Sequence, residues 1–481
     1  MAANKIDRAL RTTAFVTGFL VLAVALIPAI YSELNDGKVP AMTSEVNESI
    51  ARSNIETAQV VKSEQTLLYE AASQHLSAQP VGPAFNRENL LSDPDHRISE
   101  DFLIPPGLQN RVAFWFDIYS RYDSNKRVIH HALYPWVIFK VVDVEPIITA
   151  SYPKFRWMRN QVADALVKKE TAKVRIALDS LSKKRRASDL ETDRLKPDEI
   201  IVRDALVQLG GDIRRTAKRA RKEVRVQMGQ RNFMAEGIQT APRYITAMEA
   251  IFQKHKLPIE LTRLPLVESS FNKQAASKVG AMGIWQFMES TGRAHKLIVN
   301  DVIDERKSVY KATDAAAVLL KENHLILHRS WALALTAWNH GPAGVRKAYR
   351  AAGTKDIARI IELYHSRSFS FASENFFSEF LAALYTERYS DRIFPGLPKH
   401  APLVVQEVRL TRKMRVEDIA RVAAISVEDF IGMNPDLAKI AKLRRPLAKG
   451  LRIQVPAETH AAVEYFMASG KDDRRLIGAN G

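Results

Sequence analysis

The 481-residue chain has room for about two to four domains, and its 46% hydrophobic, 26% charged composition is that of a globular protein, not a disordered one. It contains no cysteine, which excludes disulfides, cysteine-ligated zinc and a lipid anchor on an N-terminal cysteine. A net charge of +17 would suit a nucleic acid, yet the basic clusters Lys183–Arg186 and Arg214–Lys222 carry no interleaved aromatics for base stacking, so no nucleic-acid partner is expected; both read as solvated helix faces, with attraction to an anionic surface as the alternative.

Lys5, Arg8 and Arg11 precede an apolar run from Ala14 to Tyr31, which is long enough for one membrane span. Basic residues on that side predict an inside N-terminus and an exported remainder. Residues 1–32 are read as an uncleaved signal anchor, with a cleaved signal peptide and a soluble exported protein as the alternative. Residues 33–100 form a polar linker, predicted helical to about Leu76 and broken at Pro80, Gly82, Pro83 and Pro94.

An accessory region, 101–235, follows. Arg111–Tyr119 is aromatic-rich, and Val128–Ile129 and Trp136–Val142 are predicted strands around Tyr134–Pro135. From Phe155 to Gln230 the chain is predicted as long helices. Leu206, Leu209, Ile213, Ala217, Ala220, Val224 and Met228 recur at spacings of three and four, the signature of one helix face, interrupted at Gly210–Gly211.

Residues 236–398 read as mainly α. Helices are predicted at Ala241–His255, from Pro258 in a first turn to near Glu268, and at Ala312–Leu327, Trp331–Trp338 and Glu374–Tyr389. Ser269, Ser270 and Asn272 favour a turn after Glu268. In 403–457 a strand from Val408 precedes helices Val416–Ala423 and Val427–Met433, and a strand Leu451–Val455 closes the unit. Residues 458–481 read as a tail.

Glu268 ends an apolar run between Val267 and Phe271, where desolvation disfavours the charged carboxylate. A general acid needs that effect to keep its proton near neutral pH. The pattern Glu268-Ser269-x-Phe271, Ala275-x-Ser277 and Gly280-Ala281-x-Gly283-x-x-Gln286-x-Met288 resembles the catalytic motif of the lytic transglycosylases, the SLT domains that cleave bacterial peptidoglycan. Asn339 and Gly341 match a second family motif, Ala-Tyr-Asn-x-Gly, with Trp338 where tyrosine is usual. Glu374 resembles a third, in which a glutamate opens a helix lining the site. The resemblance covers about Pro258 to Tyr389 and is strongest to the membrane-bound lytic murein transglycosylase D group, which also carries LysM modules.

The resemblance implies a lysozyme-like domain and a one-carboxylate reaction at the bond between N-acetylmuramic acid and N-acetylglucosamine. Glu268 would act as acid and then as base, giving a 1,6-anhydro end without water. Ser269, Ser277, Gln286, Met288, Trp338, Asn339 and Glu374 would meet the glycan, and Gly280 and Gly283 would let backbone approach it. Core packing is the competing reading for Ile284, Phe287, Met288 and Trp338, and a helix-dipole role competes for Glu374. No metal or organic cofactor is implied. The partners are glycan strands and, through the N-terminal segment, the inner membrane seen from its periplasmic side. Two rivals stand beside this: a hydrolytic muramidase drawing a second carboxylate from Asp301, Asp304 or Glu305, and a non-catalytic glycan-binding scaffold. The β-α-α-β unit, with Asn434-Pro435 and Lys449–Pro456, resembles a LysM module, although Thr411–Met414 replaces the usual Gly-Asp-Thr.

Overall fold

The computed structural model describes residues 85–151 and 154–469. The expected anchor, the helix in the linker and the end of the tail lie outside them. Among the described residues no helix is long and apolar enough to cross a membrane. The chain divides into two compact units, and 145–166 belongs to the first. There a short helix, Glu145–Ile148, is tied to the following segment by Arg159 Nε donating to Ile148 O at 2.9 Å.

In the second unit helix α1 (Gln109–Ser120) buries Phe114, Trp115, Phe116 and Tyr119. Strands β1 (Lys126–His131) and β2 (Ile138–Asp143) pair antiparallel, with a bulge between Ile129 and His130. Helix α2 (Arg156–Lys183) enters this unit at Val167 and is followed by α3 (Pro197–Val207) and α4 (Ile213–Ala220).

The helical face expected to run on to Met228 ends at α4. Val224–Met228 is instead strand β3, paired antiparallel with β1 through Ile129 and Val226 in a sheet of order β2-β1-β3. A separation of four residues satisfies a strand's period of two as well as a helix's turn, so the spacing of Val224 and Met228 does not distinguish them. The open edge of β1 decides the matter. The two basic clusters meet here: Arg214 Nη1 donates to Arg185 O at 2.9 Å, and Arg221 pairs with Asp179.

Helices α5 (Arg231–Thr240), α6 (Ile245–Lys254), α7 (Leu264–Ser269), α8 (Val309–Ile326), α9 (Trp331–His340), α10 (Pro342–Ala352) and α11 (Phe371–Arg388) build the remainder of a mainly α body. Pro258 does not sit in the first turn of α7. It precedes a 3-10 turn, Ile259–Arg263, and Pro265 takes the first-turn place, where a missing N–H costs nothing. One hydrophobic core runs from Leu90 to Phe394, so α1 and the α helices behind it share a single interior. Phe102 meets Phe380 edge-on at 5.6 Å within it.

A second core belongs to the C-terminal unit: β4 (Val405–Arg409), α12 (Val416–Val422), α13 (Val427–Met433) and β5 (Arg452–Pro456), the two strands antiparallel. Asn434 pins it, donating to Gln454 O at 2.8 Å and accepting from Gln454 N at 2.7 Å. The expected tail is corrected over its first part. His460–Ser469 is helix α14, and Val463 and Met467, one turn apart, are buried in this core. Ile303 joins the same core from the preceding domain. Beside it the buried Lys311 Nζ bridges Glu305 at 3.0 Å and Asp436 at 2.7 Å.

Candidate active site

Glu268 lies in the last turn of α7. Ser270 and Phe271 then both take left-handed backbone, with φ of 50° and 56°. That conformation is costly for residues with a Cβ and clusters at functional sites. It ends the helix abruptly and buries the Phe271 ring behind the carboxylate's helix.

The Glu268 carboxyl is part-exposed by area but lies deep among protein atoms. Burial raises its pKa to about 7, against the opposing hydrogen bond from Trp338. Trp338 Nε1 donates that bond to Glu268 Oε1 at 2.8 Å. The indole is held by Trp285 at 5.6 Å and Phe287 at 5.4 Å. Trp285 is fully buried, stacks on Phe252 and donates to Thr313 Oγ1 at 2.9 Å. Trp338 is thus set by core residues, yet its nitrogen serves the carboxyl.

The other expected residues separate into groups. Ser269 turns its hydroxyl to Ile284 O at 2.8 Å, fastening α7 to the following loop. Ser277 Oγ accepts from Ala281 N at 2.9 Å and closes the turn at Gly280. Gln286 donates to Gly283 O at 2.8 Å and Ala275 O at 3.2 Å. These three shape the loop facing Glu268. Ile284 and Phe287 are core residues, whereas Met288 is 42% exposed. Asn339 is exposed and accepts from Ser373 Oγ at 3.1 Å, linking α9 to α11. Gly341, at φ 79° and ψ 144°, joins α9 to α10.

Gly283 has a different reason from the one expected. A Cβ there would lie 2.0 Å from Arg306 O, so the close approach is to protein backbone; at Gly280 nothing lies within 4 Å.

The chain matches the transglycosylase SLT domain over residues 246–361. Residues 246–361 are an SLT domain. Over 132 residues the chain is 30% identical to membrane-bound lytic murein transglycosylase D of Escherichia coli K12, covering 27% of this chain and 29% of that protein. The same values hold for the protein of that name in E. coli O6:H1. A protein of Alteromonas sp. strain M-1 named for tributyltin chloride resistance is 32% identical over 108 residues, 22% of this chain and 52% of its own length. The chain therefore spans about three-tenths of the length of the E. coli relatives it matches.

Of the three second-carboxylate candidates beside the SLT motif, two are otherwise engaged. Asp304 pairs with Arg306 at 2.8 Å and caps the short helix Glu305–Lys307. Glu305 is buried, not solvated: it accepts from Ile298 N at 2.8 Å and pairs with Lys311. Asp301 is exposed. Glu374 is buried at the start of α11, where burial raises its pKa against Arg111 and His365. The acid that senses Glu268 lies five residues further on, past one helical turn. Glu379 is pushed to about 8, first by burial and then by the charge of Glu268, with Arg225 opposing. Sequence reasoning missed Glu379, although it sits in the apolar run Phe376-Phe377-Ser378-Glu379-Phe380-Leu381, the same signal that marks Glu268. Among the described residues no group of three or more acids and histidines is placed to hold a metal.

Proposed function

We propose that the chain is a peptidoglycan lytic transglycosylase with Glu268 as its acid and base. The observation that carries this reading is the Glu268 carboxyl, raised to about 7 and bonded to Trp338 within the SLT motif. A carboxyl with that pKa exists in both forms near neutrality, as a group that must first give and then take a proton requires.

In the forward step Glu268 donates its proton to the oxygen between N-acetylmuramic acid C1 and its neighbour. The C1–O bond breaks and positive charge gathers at C1. The Glu268 carboxylate then removes the proton of that sugar's own C6 hydroxyl, and O6 bonds to C1. Glu268 ends protonated, and no water enters. An internal hydroxyl has a large proximity advantage over solvent. Trp338 supports the second half by donating to the carboxylate form. The hydrolytic rival loses two of its candidate carboxylates, since Asp304 and Glu305 are committed to Arg306 and Lys311.

The same reading takes residues 1–32 as the anchor of a protein facing the periplasm, supported by the basic residues ahead of Ala14–Tyr31. It takes residues 403–457 as a LysM-like unit, supported by the strand-helix-helix-strand order and the Asn434 pin. The test is digestion of purified sacculi by the full chain, with Glu268→Gln alongside, read by mass spectrometry. Products one water lighter than reducing muropeptides, absent with the variant, are expected. Reducing ends, or equal release by the variant, would sink the assignment.

A further inference from the structure

Glu379 belongs to none of the motifs described above, and its surroundings give it no structural task. Among the described residues its carboxyl makes no hydrogen bond or ion pair. Phe371, Asn375 and Glu379 follow at spacings of four on α11 and so share one broad side of the helix. Phe371 lies under the Arg225 guanidinium of β3 at 4.0 Å. Asn375 accepts from Trp115 and Arg111 of α1 at 3.0 and 2.9 Å. That side of α11 is therefore turned toward α1 and β3, while α11 also packs on α7, which bears Glu268. The buried Tyr119 phenol of α1 lies within electrostatic reach of both Glu268 and Glu379. Four elements thus carry polar groups within electrostatic reach of one another: Glu268 from α7, Tyr119 from α1, Arg225 from β3 and Glu379 from α11.

Glu379 is part-exposed by area, but its carboxyl lies deep among protein atoms, and such a group without a partner carries a cost that a leucine would remove. Such costs concentrate at functional sites. We propose that Glu379 is a second carboxyl that touches the bound glycan, on the side of Glu268 turned toward α1 and β3, and that α1 and β3 supply this wall of the site. The inference rests on the transglycosylase reading of Glu268. At neutral pH Glu379 is a carboxylic acid and offers its proton to a hydroxyl or N-acetyl oxygen of the sugar. A neutral neighbour also adds no repulsion when Glu268 becomes a carboxylate. Arg225, exposed and resting on Phe371, stands beside Glu379 as the cationic edge of the same wall.

The test compares the full chain with Glu379→Leu, Glu379→Gln and Glu268→Gln on solubilised glycan strands, with thermal unfolding of each. Glu379→Gln keeps a donor and is expected within about threefold of the wild-type kcat/KM. Glu379→Leu is expected to lose about tenfold or more, the scale of one hydrogen bond to substrate, while its thermal midpoint holds or rises. The alkaline limb of the wild-type pH profile should carry two ionisations and that of Glu379→Gln one. Wild-type rates in Glu379→Leu, or a loss that follows a fallen midpoint, would overturn the role of Glu379 while Glu268→Gln stays dead. A wild type releasing no anhydro product would overturn the underlying reading and this inference together.

Discussion

The indole nitrogen of Trp338 and the carboxyl of Glu268 are joined by a hydrogen bond of 2.8 Å across seventy residues of chain. A donor here favours the carboxylate and holds the Glu268 pKa below the value that burial alone would set. Trp338→Phe removes the donor and keeps the ring. The alkaline limb of the pH–rate profile, set near 7 by Glu268, should then move upward, and the maximal rate should fall by about tenfold because the base form loses its support. Trp338→Tyr restores a donor and should recover most of the rate. A limb that stays in place in the phenylalanine variant would refute the role given to the indole.

Glu379 makes stability depend on pH in a definite direction. Its folded pKa, about 8, lies above the usual 4.5, so between those values the folded chain binds more protons than the unfolded one. Its contribution therefore falls as pH rises through that window. Glu379→Leu should be stabilised relative to wild type, on the order of 1–3 kcal/mol by pH 8 and little at pH 5. Urea unfolding at the two pH values measures the difference.

Lys311 is buried between Glu305 and Asp436. Lys311→Met leaves both carboxylates buried without their cation, which should cost about 3–5 kcal/mol. Calorimetry should show it, and the loss should shrink when Asp436→Asn is added. Additive losses would mean that the two residues are not coupled.

Two glycines of the motif separate two causes. Gly283→Ala puts a Cβ 2.0 Å from Arg306 O at a φ of +76°, so the loop must move and activity should collapse. Gly280→Ala meets nothing within 4 Å and should cost only about 1 kcal/mol of backbone strain. Circular dichroism melts and product release on the pair distinguish packing from conformational preference.

Much of the SLT domain was legible because its signals are local. Glu268, the end of α7 and helices α8, α9 and α11 follow from apolar spacing and motif residues within one window. What was not legible depends on partners distant in sequence. Val224–Met228 becomes a strand because β1, a hundred residues earlier, offers an edge. His460–Ser469 is a helix because the module's core accepts Val463 and Met467. Glu379 stands near Glu268 only because α11 packs on α7 and α1 together. The motif had drawn attention to Glu374, whose charged neighbours are Arg111, His365 and Glu223 instead.

Lys311, Asp436 and Ile303 also bear on how the C-terminal unit can work. A module on a flexible tether raises the local concentration of its ligand over a range of positions. Here the attachment is a buried ion pair and a shared core residue, so there is no slack to average over. On the reading proposed above, anything the unit binds would be presented at one fixed offset from Glu268: a ruler rather than a leash, with the spacing written into the packing.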